Sequence, residues 1–496
     1  MKKIQHYLLR QNILFNVSAI LLFSFSLIIF FFTEDFYDLI DTASIWVREF
    51  FGEFYLWLGL LCVLFLLFIA LSRFGRIRLG ASPPQFDRLS WIAMLYSAGM
   101  GAGILLRAVQ EPVFMFLHPP IQTNSSKAII ALEYTFYQWG FTAWAFYGMF
   151  ALLIAYAIFV RKRKIMLGHS LPHFKRIRLL PKGIDLLTIL TTVFGLVAAI
   201  GLGTTQIEGG LSHLASKSPG SLSHTLVLTF LICLLAFISA WAGVEKGIKR
   251  ISNWNIYITV LLLIFVFAEG DMGRILARFF EAFYHYLLDF LPLSLAYGKY
   301  NPGKIFLTDW TYYYWAFWLA WAPFTGVFIA RISKGRTIRE MILGVLLIPS
   351  IGSFFWFSVF GSSSFDIVES SGNPEQFGNV FTSIFHFFEA LPFSNISNIV
   401  TVLLLISFLV TSVDSAIYVL SMFSDGGREN PKRRYRLIWA ILILLFSEAI
   451  IILGNIKPES DVLTAMQKFL IISSLPFAFF TAGTMILFLR ELFKRH

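Results

Sequence analysis

The chain has 496 residues, of which 57% are hydrophobic and only 14% are charged, and its mean hydropathy is +0.72. A soluble domain carries about 25% charged residues, so this composition excludes a water-soluble core and predicts a membrane protein. Two cysteines exclude a disulfide framework, no Cys/His cluster has metal-ligand spacing, and the net charge of +11 lies in short loops between apolar runs, which indicates topology and not a nucleic-acid partner.

Twelve apolar segments are long enough to cross about 30 Å of hydrocarbon. The first, 13–32, is too long for the core of a signal peptide and lacks a small-residue cleavage site, so we interpret it as a span. The others lie near 54–72, 89–117, 129–160, 183–211, 223–243, 253–269, 309–331, 343–361, 395–422, 436–454 and 464–489. These segments predict an all-α polytopic membrane protein with twelve transmembrane helices.

Basic loops alternate with acidic or nearly neutral loops along the chain. Basic clusters such as Arg161–Lys164 and Lys432–Arg436 belong to one set of loops, whereas the other set carries clusters such as Glu34–Asp41. Because cytoplasmic loops hold the excess of Lys and Arg, the pattern predicts a multi-pass protein of the cell (inner) membrane with both termini in the cytoplasm.

Helix-breaking residues suggest two halves of five spans each, after two extra N-terminal spans. The first span of one half contains Gly99–Gly103, and the first span of the other contains Pro323 and Gly326. Interruptions at matching positions are typical of inverted-repeat secondary transporters, because the freed backbone carbonyls must line a cavity or meet an ion. The predicted organisation is 1–88 for the N-terminal segment and spans 1 and 2, 89–276 for the first five-helix repeat, 277–308 for an extracytoplasmic loop, 309–489 for the second repeat with an interfacial amphipathic helix at 333–342, and 490–496 for a short cytoplasmic tail.

Six aromatic residues form two clusters within predicted spans, namely Trp139, Trp144, Tyr147, Trp315, Trp318 and Trp321. The last three recur at every third position and share one broad face of a helix, while the first three splay across an arc of about 140°. Tryptophans also serve in interfacial belts, but two clusters at mid-span favour a ligand site. An aromatic face attracts a desolvated cation by about 2 kcal/mol. The pattern therefore favours a quaternary ammonium substrate and leaves a plain hydrophobic substrate open.

Four motifs together resemble the betaine/carnitine/choline transporter family: MLYSAGMGAGILLRAVQEP, QWGFTAWAFYG, residues 309–340 with the tail ISKGRTIRE, and FLVTSVDSAIYVL. They cover the chain from about span 2 to span 12 in the order of the family. The resemblance implies a LeuT-like 5+5 inverted repeat with two extra N-terminal helices, usually assembled as a homotrimer. It also implies alternating access and a substrate such as glycine betaine, choline or carnitine. Sodium symport is expected, and the alternatives are sodium-independent exchange or transport of a related zwitterion.

The same resemblance implies the residues of the site. The cation cage would be Trp139, Trp144, Tyr147 and Trp321, with Trp315 and Trp318 lining the path. The backbone of Gly99, Met100, Gly101 and Gly103 would admit the carboxylate end of the substrate. No cofactor is implied, and a coupling sodium ion would lie between carbonyl oxygens of Ser97, Met100 and Phe408 and hydroxyl groups of Thr411 and Ser412.

Three positions depart from the family pattern. Leu196 stands where the family has the second of two threonines of another sodium site, after Thr192, so we expect one sodium ion and not two. Phe317 replaces a family tryptophan. Arg107 replaces an aromatic residue, and a charge inside a span marks a functional site by default. Arg107 either forms a structural pair with Glu111 one helical turn away, or binds a substrate carboxylate or takes part in gating.

Two other classes of protein are alternatives. A membrane-embedded enzyme needs a nucleophile, metal ligands or paired carboxylates that converge at depth, and the nine histidines are scattered, so no enzymatic activity is predicted. A ligand-gated channel is the other alternative, and the paired interruptions favour a carrier. Glu208 and Asp414 are interpreted as groups solvated at an interface or paired with loop arginines, with proton coupling or an ion contact as the alternative.

Overall fold

The computed structural model describes residues 13–97, 101–171, 179–217, 221–242, 245–428, 430–457 and 461–494. Within these ranges the chain is helical and contains no strand, only an isolated antiparallel bridge between Arg78 and Thr337. The α-helices of six residues or more are α1 Ile13–Phe31, α2 Thr33–Leu71, α3 Arg88–Ser97, α4 Ala102–Arg107, α5 Gln110–Leu117, α6 Lys127–Trp139, α7 Phe141–Ala155, α8 Leu180–Leu214, α9 Leu222–Ala242, α10 Glu245–Glu269, α11 Met272–Ser294, α12 Tyr313–Ile332, α13 Ile338–Ser371, α14 Ser383–Glu389, α15 Ser394–Ser424, α16 Arg433–Gly454 and α17 Val462–Phe493. A π-helix, Leu307–Tyr312, leads into α12.

Eleven helical segments in the described part of the chain are long and apolar enough to cross a membrane, with α6 and α7 together forming one of them. The all-α polytopic architecture is therefore confirmed, while the count of twelve and the inverted repeat stay predictions. The predicted span at 89–117 is present as the three short helices α3, α4 and α5. Gly101 lies in extended conformation before α4, so this span is broken at the glycine-rich stretch, although Gly99 and Met100 lie outside the described residues.

The predicted interruption at Pro323 and Gly326 is wrong. Helix α12 runs without a break from Tyr313 to Ile332 and contains Pro323. A Cβ atom on Gly326 would lie 2.6 Å from the Cβ atom of Phe150, so this glycine allows α12 to pack closely against α7. Of the two interruptions that suggested a repeat, only the one in the glycine-rich span is therefore present.

The predicted interfacial helix at 333–342 is also wrong. The chain makes a turn after α12, and α13 begins at Ile338 and continues without a break as a long span. The Thr337 hydroxyl accepts a hydrogen bond from the backbone of Glu340, and the Glu340 carboxylate accepts one from the backbone of Thr337. This capping box satisfies two free N–H groups at the start of α13, which explains the polar residues at this position.

The arginines of the same tail hold neighbouring turns in place. Arg336 donates to the backbone oxygen of Phe86 at 3.0 Å and lies over the Trp91 ring at 4.1 Å. Arg339 donates to the backbone oxygen of Ala70 at 2.7 Å. The charge pattern of ISKGRTIRE therefore ties the turn between α12 and α13 to the loop that precedes α3.

The predicted extracytoplasmic loop at 277–308 is largely helical. Helix α11 covers Met272–Ser294, and the Asp271 side chain caps it by accepting from the Arg274 backbone. The hydroxyl of Tyr286 accepts a hydrogen bond from the backbone of Phe141 at the start of α7. Helix α11 thus fixes the junction between α6 and α7, where residues of the candidate site lie.

The centre of the molecule is formed by α6, α7, α8 and α12. In the α6 and α7 segment 83% of the most apolar window is buried, whereas in α1, α9 and α10 the value is only 28%. Gly195 of α8 comes so close to Ala320 of α12 that a Cβ atom would lie 3.1 Å from its backbone. Helix α12 is therefore enclosed on several sides, and its side chains sort into those that pack and those that face a cavity.

Candidate functional site

A cavity of about 1110 Å³ lies beside α12 and is bounded by α4, α8 and α15. Ten of the predicted site residues line it, namely Gly101, Gly103, Arg107, Trp139, Tyr147, Trp318, Trp321, Phe408, Thr411 and Ser412. Nothing lies within 4 Å of the position that a Cβ atom on Gly101 would occupy. The backbone of the broken span therefore borders open space.

Three aromatic residues meet at one wall of the cavity. The ring of Trp318 lies edge to face with Tyr147 at 5.1 Å and with Trp139 at 5.5 Å between centroids. The Trp318 indole donates to the backbone oxygen of Gln138 at 3.1 Å, which fixes its orientation. The junction between α6 and α7 at Gly140 has no room for a side chain, because a Cβ atom there would lie 2.5 Å from the Phe136 oxygen and 2.7 Å from the Tyr286 hydroxyl.

Trp144 and Trp315 do not line the cavity, which corrects the expectation for both. Trp144 is fully buried behind Trp318, with 6.0 Å between the ring centroids. Trp315 is fully buried against the rings of Tyr137 at 5.2 Å and Phe146 at 5.9 Å. A helix advances about 100° per residue, so positions three apart differ by about 60°. That rotation is enough to turn Trp315 from the cavity into the core.

Trp321 lines the cavity one turn further along α12 than Trp318. Its nearest ring is Phe324, at 5.6 Å between centroids, and its indole N–H has no hydrogen-bond partner within the described residues. The predicted four-residue cage is therefore present in part: Trp139 and Tyr147 lie around Trp318, and Trp321 extends the aromatic surface along the cavity.

Arg107 is buried and lines the cavity. Its guanidinium donates to Gln110 at 2.8 Å and lies over the rings of Trp310 at 5.1 Å and Tyr314 at 6.0 Å. Among the described side chains it forms no ion pair within 4 Å. A direct ion pair with Glu111 is thus absent, but both residues contact Tyr314: the guanidinium lies over its ring, and its hydroxyl donates to the Glu111 carboxylate.

Glu111 instead holds two rings of the cavity wall. Its carboxylate accepts hydrogen bonds from the Trp139 indole at 3.1 Å and from the Tyr314 hydroxyl. The residue is fully buried, and both donors reach Oε2, while Oε1 has no hydrogen-bond partner among the described residues. The two donors therefore offset only part of the loss of hydration that a buried carboxylate suffers. Tyr314 was not among the predicted site residues. Its i,i+4 spacing from both Trp310 and Trp318 could have indicated it, because this spacing places all three residues on one face of the helical segment.

Three of the five residues implied as sodium ligands lie on α15. These are Phe408, Thr411 and Ser412, and all three line the cavity. The Thr411 hydroxyl donates to the backbone oxygens of Ser407 at 2.9 Å and Phe408 at 3.1 Å. Its own oxygen keeps lone pairs, and hydroxyl and carbonyl oxygens suit a hard cation. The other donors are Ser97 at the end of α3 and Met100, which lies outside the described residues. Three of the five implied donor residues therefore lie together on one helix at the cavity wall.

The cavity reaches the face of the molecule that carries the basic loops. Its lining there includes Asp414, Arg331 and Arg436, the last of which lies over the Tyr418 ring at 5.6 Å. The opposite end is occupied by Arg107 and the buried aromatic residues around it. Glu208 lies further along α8 and accepts a hydrogen bond from Ser212 at 2.7 Å.

An all-helical membrane protein with a broken span, and a central cavity that opens to one face and is closed at the other, belongs to the class of membrane transporters. The chain matches the family described as "BCCT, betaine/carnitine/choline family transporter" over residues 13–496. It belongs to this family, which confirms the resemblance found in the sequence and excludes an enzyme.

Three relatives show the breadth of the match. The chain is 35% identical over 447 residues to the "Glycine betaine transporter OpuD" of Bacillus subtilis (strain 168), covering 88% of this chain and 86% of the relative. It is 33% identical over 454 residues to the "Ectoine/hydroxyectoine transporter" of Virgibacillus pantothenticus, covering 90% of this chain and 89% of the relative. It is 32% identical over 485 residues to the "Osmo-dependent choline transporter BetT2" of Acinetobacter baylyi, covering 95% of this chain and 69% of the relative.

Proposed function

We propose that the protein transports a quaternary ammonium solute or a related zwitterion, with glycine betaine as the type of substrate, by alternating access. The observation that carries the proposal is the meeting of Trp139, Tyr147 and Trp318 at the wall of one deep cavity. Relatives named as transporters of glycine betaine, ectoine and choline support this substrate class.

The cationic end of the substrate binds at the aromatic wall. A trimethylammonium group has no N–H, so hydrogen-bond acceptors serve it poorly, whereas each good aromatic face attracts it by about 2 kcal/mol. The indole of Trp318 is fixed by its bond to the Gln138 backbone, and that of Trp139 by its bond to Glu111. These hydrogen bonds pre-organise the rings, which lowers the entropy lost when the substrate binds.

The anionic end of the substrate binds at Arg107. This guanidinium lines the cavity and has no carboxylate within 4 Å among the described residues, so part of its hydrogen-bonding capacity is available to a ligand. A carboxylate accepts two parallel bonds from a guanidinium. A zwitterion such as glycine betaine satisfies both ends of the site, whereas choline satisfies only the aromatic end.

Sodium symport is the proposed mode of coupling, and the hydroxyls of Thr411 and Ser412 on α15 support it. We propose a single coupling ion, because Leu196 lines the cavity without offering an oxygen. Sodium-independent exchange of substrate for product is the alternative mode. The proposed orientation has the open end of the cavity in the cytoplasm, which the basic loops on that face support under the positive-inside rule. A homotrimer in the cell membrane is part of the proposal.

Uptake into proteoliposomes tests the function. Purified protein is reconstituted, and uptake of labelled glycine betaine, choline, carnitine and ectoine is measured with and without an inward sodium gradient. We expect concentrative uptake of at least one of these compounds that depends on sodium. Counterflow of equal rate without sodium would establish exchange in place of symport. Absence of uptake and of binding for all four compounds, with the fold intact, would overturn the proposed function.

A further inference from the structure

A second group of chemically reactive side chains lies on the face opposite the basic loops, away from the cavity. It forms where the short helix α14 packs against the C-terminal end of α8. Two glycines of α8 make this approach possible: a Cβ atom on Gly209 would lie 3.1 Å from the Phe381 oxygen, and one on Gly210 would lie 2.3 Å from the Phe385 ring. The close contact brings the last turn of α8 directly against α14.

Three ligand-type residues meet at this contact, His213 from α8 and His386 and Glu389 from α14. The Nε2 atom of His213 lies 3.1 Å from one carboxylate oxygen of Glu389, and the Nδ1 atom of His386 lies 3.1 Å from the other. One ligand atom from each residue can be chosen so that all lie within 4.8 Å of one another. The two imidazole rings are nearly perpendicular, with 4.7 Å between their centroids.

We propose that these three residues bind a divalent transition metal ion of the zinc type. Zinc bound to histidine nitrogen and carboxylate oxygen at about 2.0–2.1 Å in a tetrahedral site places its ligand atoms about 3.3 Å apart. Each imidazole nitrogen lies 3.1 Å from a different oxygen of the same carboxylate, so one nitrogen–oxygen pair already has this spacing. The third ligand atom lies within 4.8 Å of both and moves inward on binding. Two imidazoles and one carboxylate are a common zinc donor set, and water completes the fourth position.

The burial of the three side chains is suited to an accessible metal site. His213 is 12% exposed, His386 is 30% exposed and Glu389 is 53% exposed. His213, the least exposed of the three, is held in place by packing against the Phe385 ring, at 5.9 Å between centroids. The exposed carboxylate is free to adjust by the few tenths of an ångström that coordination requires, and the ion enters from solvent.

A metal ion here links two elements that the polypeptide joins only through distant segments. Helix α8 contributes Leu196, Gly203 and Gln206 to the cavity wall, and α14 lies between the spans α13 and α15. The three ligands converge in the arrangement whose cavity opens toward the basic loops. A ligand that binds one conformation better than another shifts the population toward it, so the metal stabilises this arrangement and slows the transport cycle.

Binding is tested on the tag-free protein in detergent after removal of adventitious metal with a chelator. Titration with Co²⁺ is expected to produce intense visible absorption bands of tetrahedral coordination at one equivalent, and Zn²⁺ is expected to displace Co²⁺ and to raise the Tm. His213→Ala and His386→Ala are each expected to weaken binding at least tenfold while they keep the Tm of the metal-free protein. The matched control is His285→Ala, because His285 is also 30% exposed and lies near a carboxylate, Asp289, at 3.8 Å.

The outcomes separate the metal site from the transport proposal, because the spectroscopic readout needs no substrate. Absence of saturable Co²⁺ binding to the wild-type protein would overturn the site, as would binding of unchanged strength in both histidine variants. Equal loss of binding in His285→Ala would place the metal elsewhere and also overturn it. With the site intact, micromolar Zn²⁺ is expected to slow uptake several-fold in the wild type and not in His213→Ala, and unchanged uptake would overturn the conformational link.

Discussion

The two sides of α12 differ in a way that their composition does not reveal. Trp318 and Trp315 are one turn apart, and both are buried tryptophans. Trp318 borders the cavity and contacts the cavity-lining rings of Trp139 and Tyr147. Trp315 packs into the core against Tyr137 and Phe146. The comparison teaches that residue type alone does not define a cation site in a membrane. The direction of the ring and the free space in front of it decide.

The largest expected effect comes from removing the cavity-facing ring. Trp318→Leu is expected to weaken binding of glycine betaine about 30-fold, because one good cation–π face contributes about 2 kcal/mol and about 1.4 kcal/mol corresponds to a factor of ten. The measurement is equilibrium binding of labelled substrate to the purified protein.

The matched control for this change is Trp315→Leu on the packed side. It is expected to lower the Tm through the cavity it leaves in the core, while substrate affinity stays within about threefold of the wild type. Similar losses of affinity in the two variants would contradict the distinction between the two sides of the helix.

A smaller and more selective effect is expected at the end of the cavity beside Trp310 and Tyr314. Arg107→Met is expected to weaken uptake of glycine betaine about tenfold and to leave choline uptake nearly unchanged, because a hydrogen bond to a charged group contributes about 1.5–3 kcal/mol. The ratio of the two uptake rates is the measurement, since both substrates share the ammonium group.

Equal losses for glycine betaine and choline would instead assign Arg107 to the support of the closed end. The conservative variant Arg107→Lys sharpens the test. Lysine keeps the charge but not the planar fork that binds a carboxylate through two parallel bonds, so it is expected to restore only part of the preference for the zwitterion.

Much of this arrangement could be predicted from the sequence, because membrane spans follow from apolar length and the broken span follows from glycines at every second position of 99–103. The cavity-lining positions of Trp139, Tyr147 and Trp318 could also be predicted. The errors share a physical cause. The residue pattern gives the angular positions of side chains around one helix. It does not give the neighbour that each face of the helix contacts, or the points at which the helix is interrupted. Thus Trp315 lies in the core, and a turn at 108–109 lies between Arg107 and Glu111, the carboxylate of one of the two interpretations of Arg107.

Contacts between distant segments were beyond the reach of spacing rules. The group formed by His213, His386 and Glu389 has only a partial local signature. His386 and Glu389 lie three residues apart on α14, but His213 comes from α8, and five of the α-helices named above lie between the two along the chain. The one local signal is the pair Gly209 and Gly210. Two adjacent glycines without side chains allow another element to pack closely against α8 at this point. A search for metal ligands at short spacing along the chain does not reach a group of this kind.

A third change examines how the cavity-facing side is supported. Glu111→Gln is expected to lower substrate affinity about threefold, because the amide oxygen still accepts from the Trp139 indole and the Tyr314 hydroxyl but as a weaker, uncharged acceptor. Glu111→Ala removes both bonds and is expected to have the larger effect. Equal affinity in wild type, glutamine and alanine variants, measured by the same binding assay, would show that the two rings need no such support.

The smallest effect on transport is expected on the packed side of α12. Gly326→Ala places a Cβ atom 2.6 Å from the Cβ atom of Phe150 and 3.0 Å from the backbone nitrogen of Ala151. Neither neighbour is the end of a flexible side chain, so α12 and α7 must separate, at a cost of about 1–3 kcal/mol in the free energy of unfolding. Substrate affinity is expected to stay within about twofold of the wild type.

The matched control is Gly483→Ala on α17, where nothing lies within 4 Å of the new atom and the Tm is expected to be unchanged or slightly raised. A lowered Tm with unchanged affinity in the Gly326 variant alone would assign this glycine to close packing, whereas loss of affinity without loss of stability would return it to the binding site.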